Sequence, residues 1–146
     1  MQKISLITIG KVKTPWISEG CQVYLGRLKH SFDLTERVLA ASSQKEEEEK
    51  LMKALESIDG TVFVLDAAGK EYASESFASL IAAEKDMGRP LTFVIAGAYG
   101  LSSTFKKGRK LLSLGAMTFP HEITKLLLLE QLFRADAITK NTGYHH

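Results

Sequence analysis

Two stretches of this chain offer a ligand more backbone than side chain: Ile95-Ala96-Gly97-Ala98-Tyr99-Gly100 and Ser113-Leu114-Gly115-Ala116-Met117-Thr118-Phe119-Pro120-His121. Small residues let main-chain amides approach a bound molecule closely. Backbone N–H and C=O groups that leave a strand ladder must find other partners. The chemistry expected of such loops is recognition of a flat heteroaromatic ring by amides rather than attack by a side chain. A third loop, after Leu65, carries Ala67 to Lys70, where the chain is expected to turn. Any single loop of this kind can be only a turn; three together predict one small-molecule pocket.

Other chemistries lack their residues. No G-x-G-x-x-G follows the first predicted strand, and Gly69-Lys70 lacks the spaced upstream glycine of a phosphate loop. Gly100-Leu101-Ser102-Ser103 does not make a nucleophile elbow. The four histidines and one cysteine show no metal-ligand spacing, and His121-Glu122 has no second histidine, so no metal is expected.

The elements that must position these loops alternate along the chain. Buried strands are predicted at Lys3 to Ile9, Phe32 to Leu39, Thr61 to Asp66, Leu91 to Ala96 and Leu111 to Leu114. Helices are predicted from Thr14 or Pro15 to about His30, from Lys45 to Ser57, from Ser74 to about Asp86, from Ser102 to about Gly108 and from Pro120 to Ile138. Pro120 suits a first helical turn, where its missing N–H costs nothing. Alternation of this kind predicts an α/β fold, a mostly parallel sheet with helices on both faces. Ligands of such sheets bind at the carboxyl ends of the strands, where all three loops lie. The Glu46 to Glu49 run reads as a solvated helix face.

With 146 residues and no linker or repeat, residues 1–146 are expected to form a single domain. A net charge of +2 excludes a generally cationic nucleic-acid binder, so any RNA contact must come from a local patch. Lys106, Lys107, Arg109 and Lys110 form the densest such patch, and Lys11 and Lys13 beside Trp16 form a second. One cysteine, no membrane-length apolar run and no signal-peptide layout predict a cytoplasmic protein without a membrane partner. The last helix is aliphatic around most of its circumference, which predicts cover from a second subunit in a symmetric homodimer.

Several segments, in order, resemble the ribosomal RNA large subunit methyltransferase H family. They are Gly10-Lys11, Tyr24-Leu25 with Arg27-Leu28, Val64-Leu65-Asp66 with Gly69-Lys70, and Phe93 to Ser102. Met117-Thr118-Phe119-Pro120-His121, Leu129-Glu130-Gln131-Leu132-Phe133-Arg134-Ala135 and Tyr144-His145 complete the set. The resemblance covers nearly the whole chain and implies a SPOUT methyltransferase fold with a C-terminal deep trefoil knot. It implies S-adenosylmethionine as cofactor, a homodimer, and methylation of N3 of a pseudouridine in a 23S rRNA stem-loop within the assembled ribosome. The implied cofactor contacts are Leu65, Ala96, Gly97, Gly100 and the segment Gly115, Ala116, Met117, Thr118, Phe119 and Pro120. Two departures stand out. Ala96-Gly97 replaces a usual glycine pair, which is harmless at negative φ and strained at positive φ. The region from Ala40 to Met52 is also shorter than usual.

Methyl transfer to a ring nitrogen is an in-line displacement in which positioning supplies much of the catalysis. The imide N3–H must also lose its proton, so a base or an anion-stabilising group is expected. Tyr144 and His145 on the C-terminal tail are the candidates beside the target base; imidazoles exchange protons near neutral pH, and tyrosine adds a stacking face. Arg134 is the third catalytic candidate, either on RNA or paired with Glu130 one helical turn away. His121 is a candidate for capping, packing or catalysis. Two other activities remain open at this point: a related knotted tRNA methyltransferase, and a non-enzymatic ribosome- or RNA-binding dimer.

Overall fold

The computed structural model describes residues 1–146. Its elements are β1 (Gln2–Ile9), α1 (Pro15–Leu28), β2 (Phe32–Leu39), α2 (Gln44–Leu55), β3 (Thr61–Glu71), α3 (Ser74–Asp86), β4 (Leu91–Ile95), α4 (Ser103–Lys106), β5 (Lys110–Ser113) and α5 (His121–Lys140). The five strands pair in parallel throughout, in the order β2-β1-β4-β3-β5. Successive side chains of a strand point to opposite faces, so the unbroken apolar runs serve two cores. Leu6, Phe63, Phe93 and Leu112 pack with α1, α3 and α5, while Ile7, Val64 and Val94 pack with α2 and α4. The α/β sheet covered on both faces is therefore as the alternation predicts.

Two expectations are corrected. The turn expected at Ala67 to Lys70 does not end β3: Leu65 and Lys70 both pair with Leu112, so the residues between them bulge out of the ladder and β3 resumes to Glu71. Gly69 permits this, because a Cβ there would stand 2.6 Å from the Leu111 carbonyl carbon. The second correction concerns cover for α5. Leu128, Leu129 and Leu132 are fully buried between the sheet, α1 and α3, so the chain itself covers most of the aliphatic circumference. Gly20 lets α1 come close, a Cβ there falling 3.1 Å from Leu126 Cδ1. Leu127 alone among these leucines keeps a third of its surface exposed.

Local chemistry fixes both ends of α5. Glu122 accepts the N–H groups of Thr14 (3.0 Å) and Lys13 (3.2 Å), tying the β1–α1 loop to the first turn. At the other end Asn141 adopts the left-handed conformation (φ 54°), a role asparagine tolerates, and Thr142 N–H returns to Ala137 O at 3.1 Å. This cap folds the tail back along the helix toward Phe133 and Arg134. No helix is long and apolar enough to cross a membrane.

Candidate active site

A cavity of about 670 Å³ opens at the carboxyl ends of β3, β4 and β5, well within the roughly 300–1,000 Å³ usual for small-molecule sites. Its walls are the three loops singled out in the sequence. Leu65 stands at one side, Ala96, Gly97 and Gly100 at the second, and Gly115, Met117, Thr118, Phe119 and Pro120 at the third. Ala116 does not line the cavity; it lies exposed on the outside of the same loop. Ala96 has no positive φ, so its methyl group sits on the wall without backbone strain. The N–H groups of Ala98, Met117, Thr118 and Phe119 donate to no other group of the chain.

Two buried or paired polar groups shape the wall. The Ser113 hydroxyl accepts Gly115 N–H (3.1 Å) and lies 2.8 Å from Gly115 O and 3.1 Å from Ala67 O, stitching the first and third loops together. Asp66, which directly follows Leu65, lines the cavity as well, beyond the residues to which the sequence points. Burial pushes its carboxyl up, but Ala68 N–H (2.9 Å) and the Lys106 ammonium (3.0 Å) outweigh this and hold it below its ordinary value. Its charge is thus compensated by Lys106, and recognition falls to the free amides. His121 and Thr124, one turn apart on α5, complete the lining. Met117 and Tyr99 are 78% and 70% exposed at the rim.

The other candidates gather elsewhere. Arg134 keeps its Glu130 partner (Nε–Oε1 2.8 Å), a bond that raises its pKa further, and its guanidinium lies 4.9 Å from the Tyr144 ring centre. Tyr144 meets Phe133 edge-on at 4.8 Å. The neighbouring Tyr144 hydroxyl, then burial, pushes the Tyr24 phenol above its ordinary value. His145 Nδ1 lies 3.0 Å from Arg134 Nη1 and its Nε2 lies 2.7 Å from Glu75 Oε1. A guanidinium only donates, so Nδ1 is the acceptor and Nε2 carries the proton given to Glu75. Ten residues of helix separate Thr124 from Arg134, about 15 Å along the axis. Within one chain, then, the cavity and the tail cluster are apart.

The basic patch is mostly engaged within the chain. Lys106 pairs with Asp66, Arg109 stacks on Phe105 (4.3 Å) while its Nε donates to Phe105 O, and Lys110 sits over Phe63 (5.9 Å). Lys11, Lys13 and the 61%-exposed Trp16 remain outward at the cavity end of the sheet. No group of three or more His, Cys, Asp or Glu side chains is clustered to hold a metal ion.

Comparison with known proteins agrees with this architecture. The family model described as "Predicted SPOUT methyltransferase" matches residues 2–145. The chain is 38% identical over 157 aligned residues to the ribosomal RNA large subunit methyltransferase H of Nitratidesulfovibrio vulgaris (strain DSM 19637 / Miyazaki F), covering 100% of both chains. It is 40% identical to the protein of the same name from Prochlorococcus marinus (strain NATL2A), covering 96% of this chain and 93% of the relative. A third, from Trichlorobacter lovleyi, is 35% identical over 99% of each. Full-length similarity of this kind, on a parallel sheet whose loops enclose an amide-lined cavity, means that the chain belongs to the SPOUT methyltransferase family, with relatives named ribosomal RNA large subunit methyltransferase H.

Proposed function

We propose that this protein methylates N3 of a pseudouridine in 23S rRNA of the large ribosomal subunit, using S-adenosylmethionine. The observation that carries the reading is the cavity: three small-residue loops, two of them with unpaired amides, in a chain aligned end to end with relatives of that name. Its volume and its neutral, amide-rich wall fit a cofactor with a flat adenine ring. The unstrained Ala96 removes the reason to expect lost cofactor affinity.

When bound, S-adenosylmethionine supplies an electrophilic methyl group. Ala98, Met117, Thr118 and Phe119 would hold it through their free N–H groups, and the absent side chain of Gly97 lets this loop pack against Ile9 and Glu47 behind the cavity. Tyr144 and His145 would meet the target base, with Arg134 orienting His145 and binding the RNA or the developing N3 anion. His145 gives its lone pair to Arg134 in the docked tail, so accepting the N3 proton requires that bond to open.

The reading includes a homodimer in which the tail of one protomer serves the cavity of its partner, since about 15 Å of helix separates them within one chain. Trp16 and Val23, two turns apart on α1, are both more than half exposed, a face suited to that contact. The C-terminal trefoil knot and a cytoplasmic location, with the ribosome as partner, belong to the same reading. Nucleoside mass spectrometry of RNA from a deletion strain tests it: methylpseudouridine is expected to vanish from large-subunit rRNA. A methyl mark lost from tRNA instead would assign the other substrate. Calorimetric titration that finds no binding at millimolar S-adenosylmethionine would leave only a binding role.

A further inference from the structure

The four-glutamate run is not one uniform solvated face. Helical spacing puts Gln44, Glu47, Glu48 and Leu51 on one side of α2, and Leu51 is fully buried. All three polar members of that side meet the loop that leaves β4. Gln44 Nε2 donates to Tyr99 O at 3.1 Å. Glu48 accepts twice from Ser102, from its backbone N–H at 2.6 Å and from its hydroxyl at 2.8 Å. Glu47 is 2% exposed; one oxygen takes Ser42 N–H at 2.8 Å and the other is buried without a hydrogen-bond partner. That second oxygen faces Gly97, where a Cβ would come within 3.2 Å of it. Between Gly97 and Ser102 the loop has one backbone hydrogen bond of its own, Gly100 N–H to Gly97 O at 3.1 Å.

We propose that Glu48, assisted by Gln44 and Glu47, is a positioning residue for cofactor binding, and that α2 braces the 97–101 loop from outside the cavity. The inference rests on the methyltransferase reading, because Gly97, Ala98 and Gly100 line the cavity. A loop with so few internal bonds has its cavity-facing conformation imposed on it. Charge-assisted bonds to a fixed helix are strong and directional enough to do so. Preorganised amides lose less freedom on binding, so loosening the brace weakens the cofactor complex and leaves RNA binding and the fold alone.

The test compares Glu48→Ala, Glu48→Gln and Ser102→Ala with wild type. Glu48→Ala is expected to raise Kd and KM for S-adenosylmethionine about tenfold, the value of one hydrogen bond to a charged group. KM for the ribosomal substrate and the thermal midpoint should change little. Glu48→Gln keeps a carbonyl acceptor for Ser102 N–H and should recover most of the affinity. Ser102→Ala should fall between and add little on top of Glu48→Ala. Amide hydrogen exchange at residues 98–101 of the cofactor-free protein should speed up in Glu48→Ala. That readout stands apart from catalysis: a wild type that binds no cofactor overturns the methyltransferase reading, while faster exchange still identifies the brace. Unchanged exchange with unchanged Kd overturns the brace. So does a fall in thermal midpoint with both KM values rising together in Glu48→Ala and Ser102→Ala.

Discussion

His145 shows what a residue's type leaves open. An imidazole at a chain end reads equally as a base or as a frayed terminus, and its neighbours decide. Held between Arg134 and Glu75, it has a defined tautomer and no free lone pair. Tyr144→Ala or His145→Ala should therefore lower turnover while leaving S-adenosylmethionine affinity nearly intact by calorimetry; equal loss of cofactor affinity would put the tail in the cofactor pocket. Asp66 supports a second prediction. Its folded-state pKa is depressed, so its stabilising contribution is complete above the ordinary aspartate value of about 4 and is lost as pH falls through the lower folded value. The destabilisation caused by Lys106→Ala should be visible in the thermal midpoint near neutral pH and shrink in acid. A pH-independent difference would mean that packing, not charge, is what Lys106 provides.

Among the elements, periodicity located the helices and strands well because apolar spacing reports burial directly. Phe32–Leu39 and Ser74–Asp86 form at the expected bounds, and most other ends shift by one or two residues. Periodicity failed where one residue acts through what it lacks. Gly69 looks like a turn former, yet it is the point at which β5 presses against β3. Gly69→Ala should cost about 1–3 kcal/mol or more, because the contact is backbone that cannot yield. Chemical denaturation measures this, and a neutral result would show that the β3–β5 shift can relax. The α2 glutamates failed for the opposite reason. Four identical residues in a row conceal which of them shares a face with Leu51, although the spacing of Glu47, Leu51 and Ala54 carries that signal.

At the scale of the whole molecule, the cavity and the tail cluster belong to opposite ends of α5. If the tail acts in trans, mixing a cavity-blocked Gly115→Leu protein with a Tyr144→Ala protein under exchange should restore about a quarter of wild-type activity, since half the dimers are mixed and each holds one intact site. Inactivity of the mixture would place the tail in cis. By itself the sequence determined the order of elements, the two-faced parallel sheet and the loops of the cavity, because burial and backbone freedom are written in residue size and polarity. Only the tertiary structure decided which charges are free. Lys106 paired with Asp66, Glu48 turned inward to Ser102, and His145 closed between Arg134 and Glu75 depend on distances between residues 11 to 70 positions apart. No local pattern encodes such distances, since a side chain's partner is set by how the sheet and its helices pack.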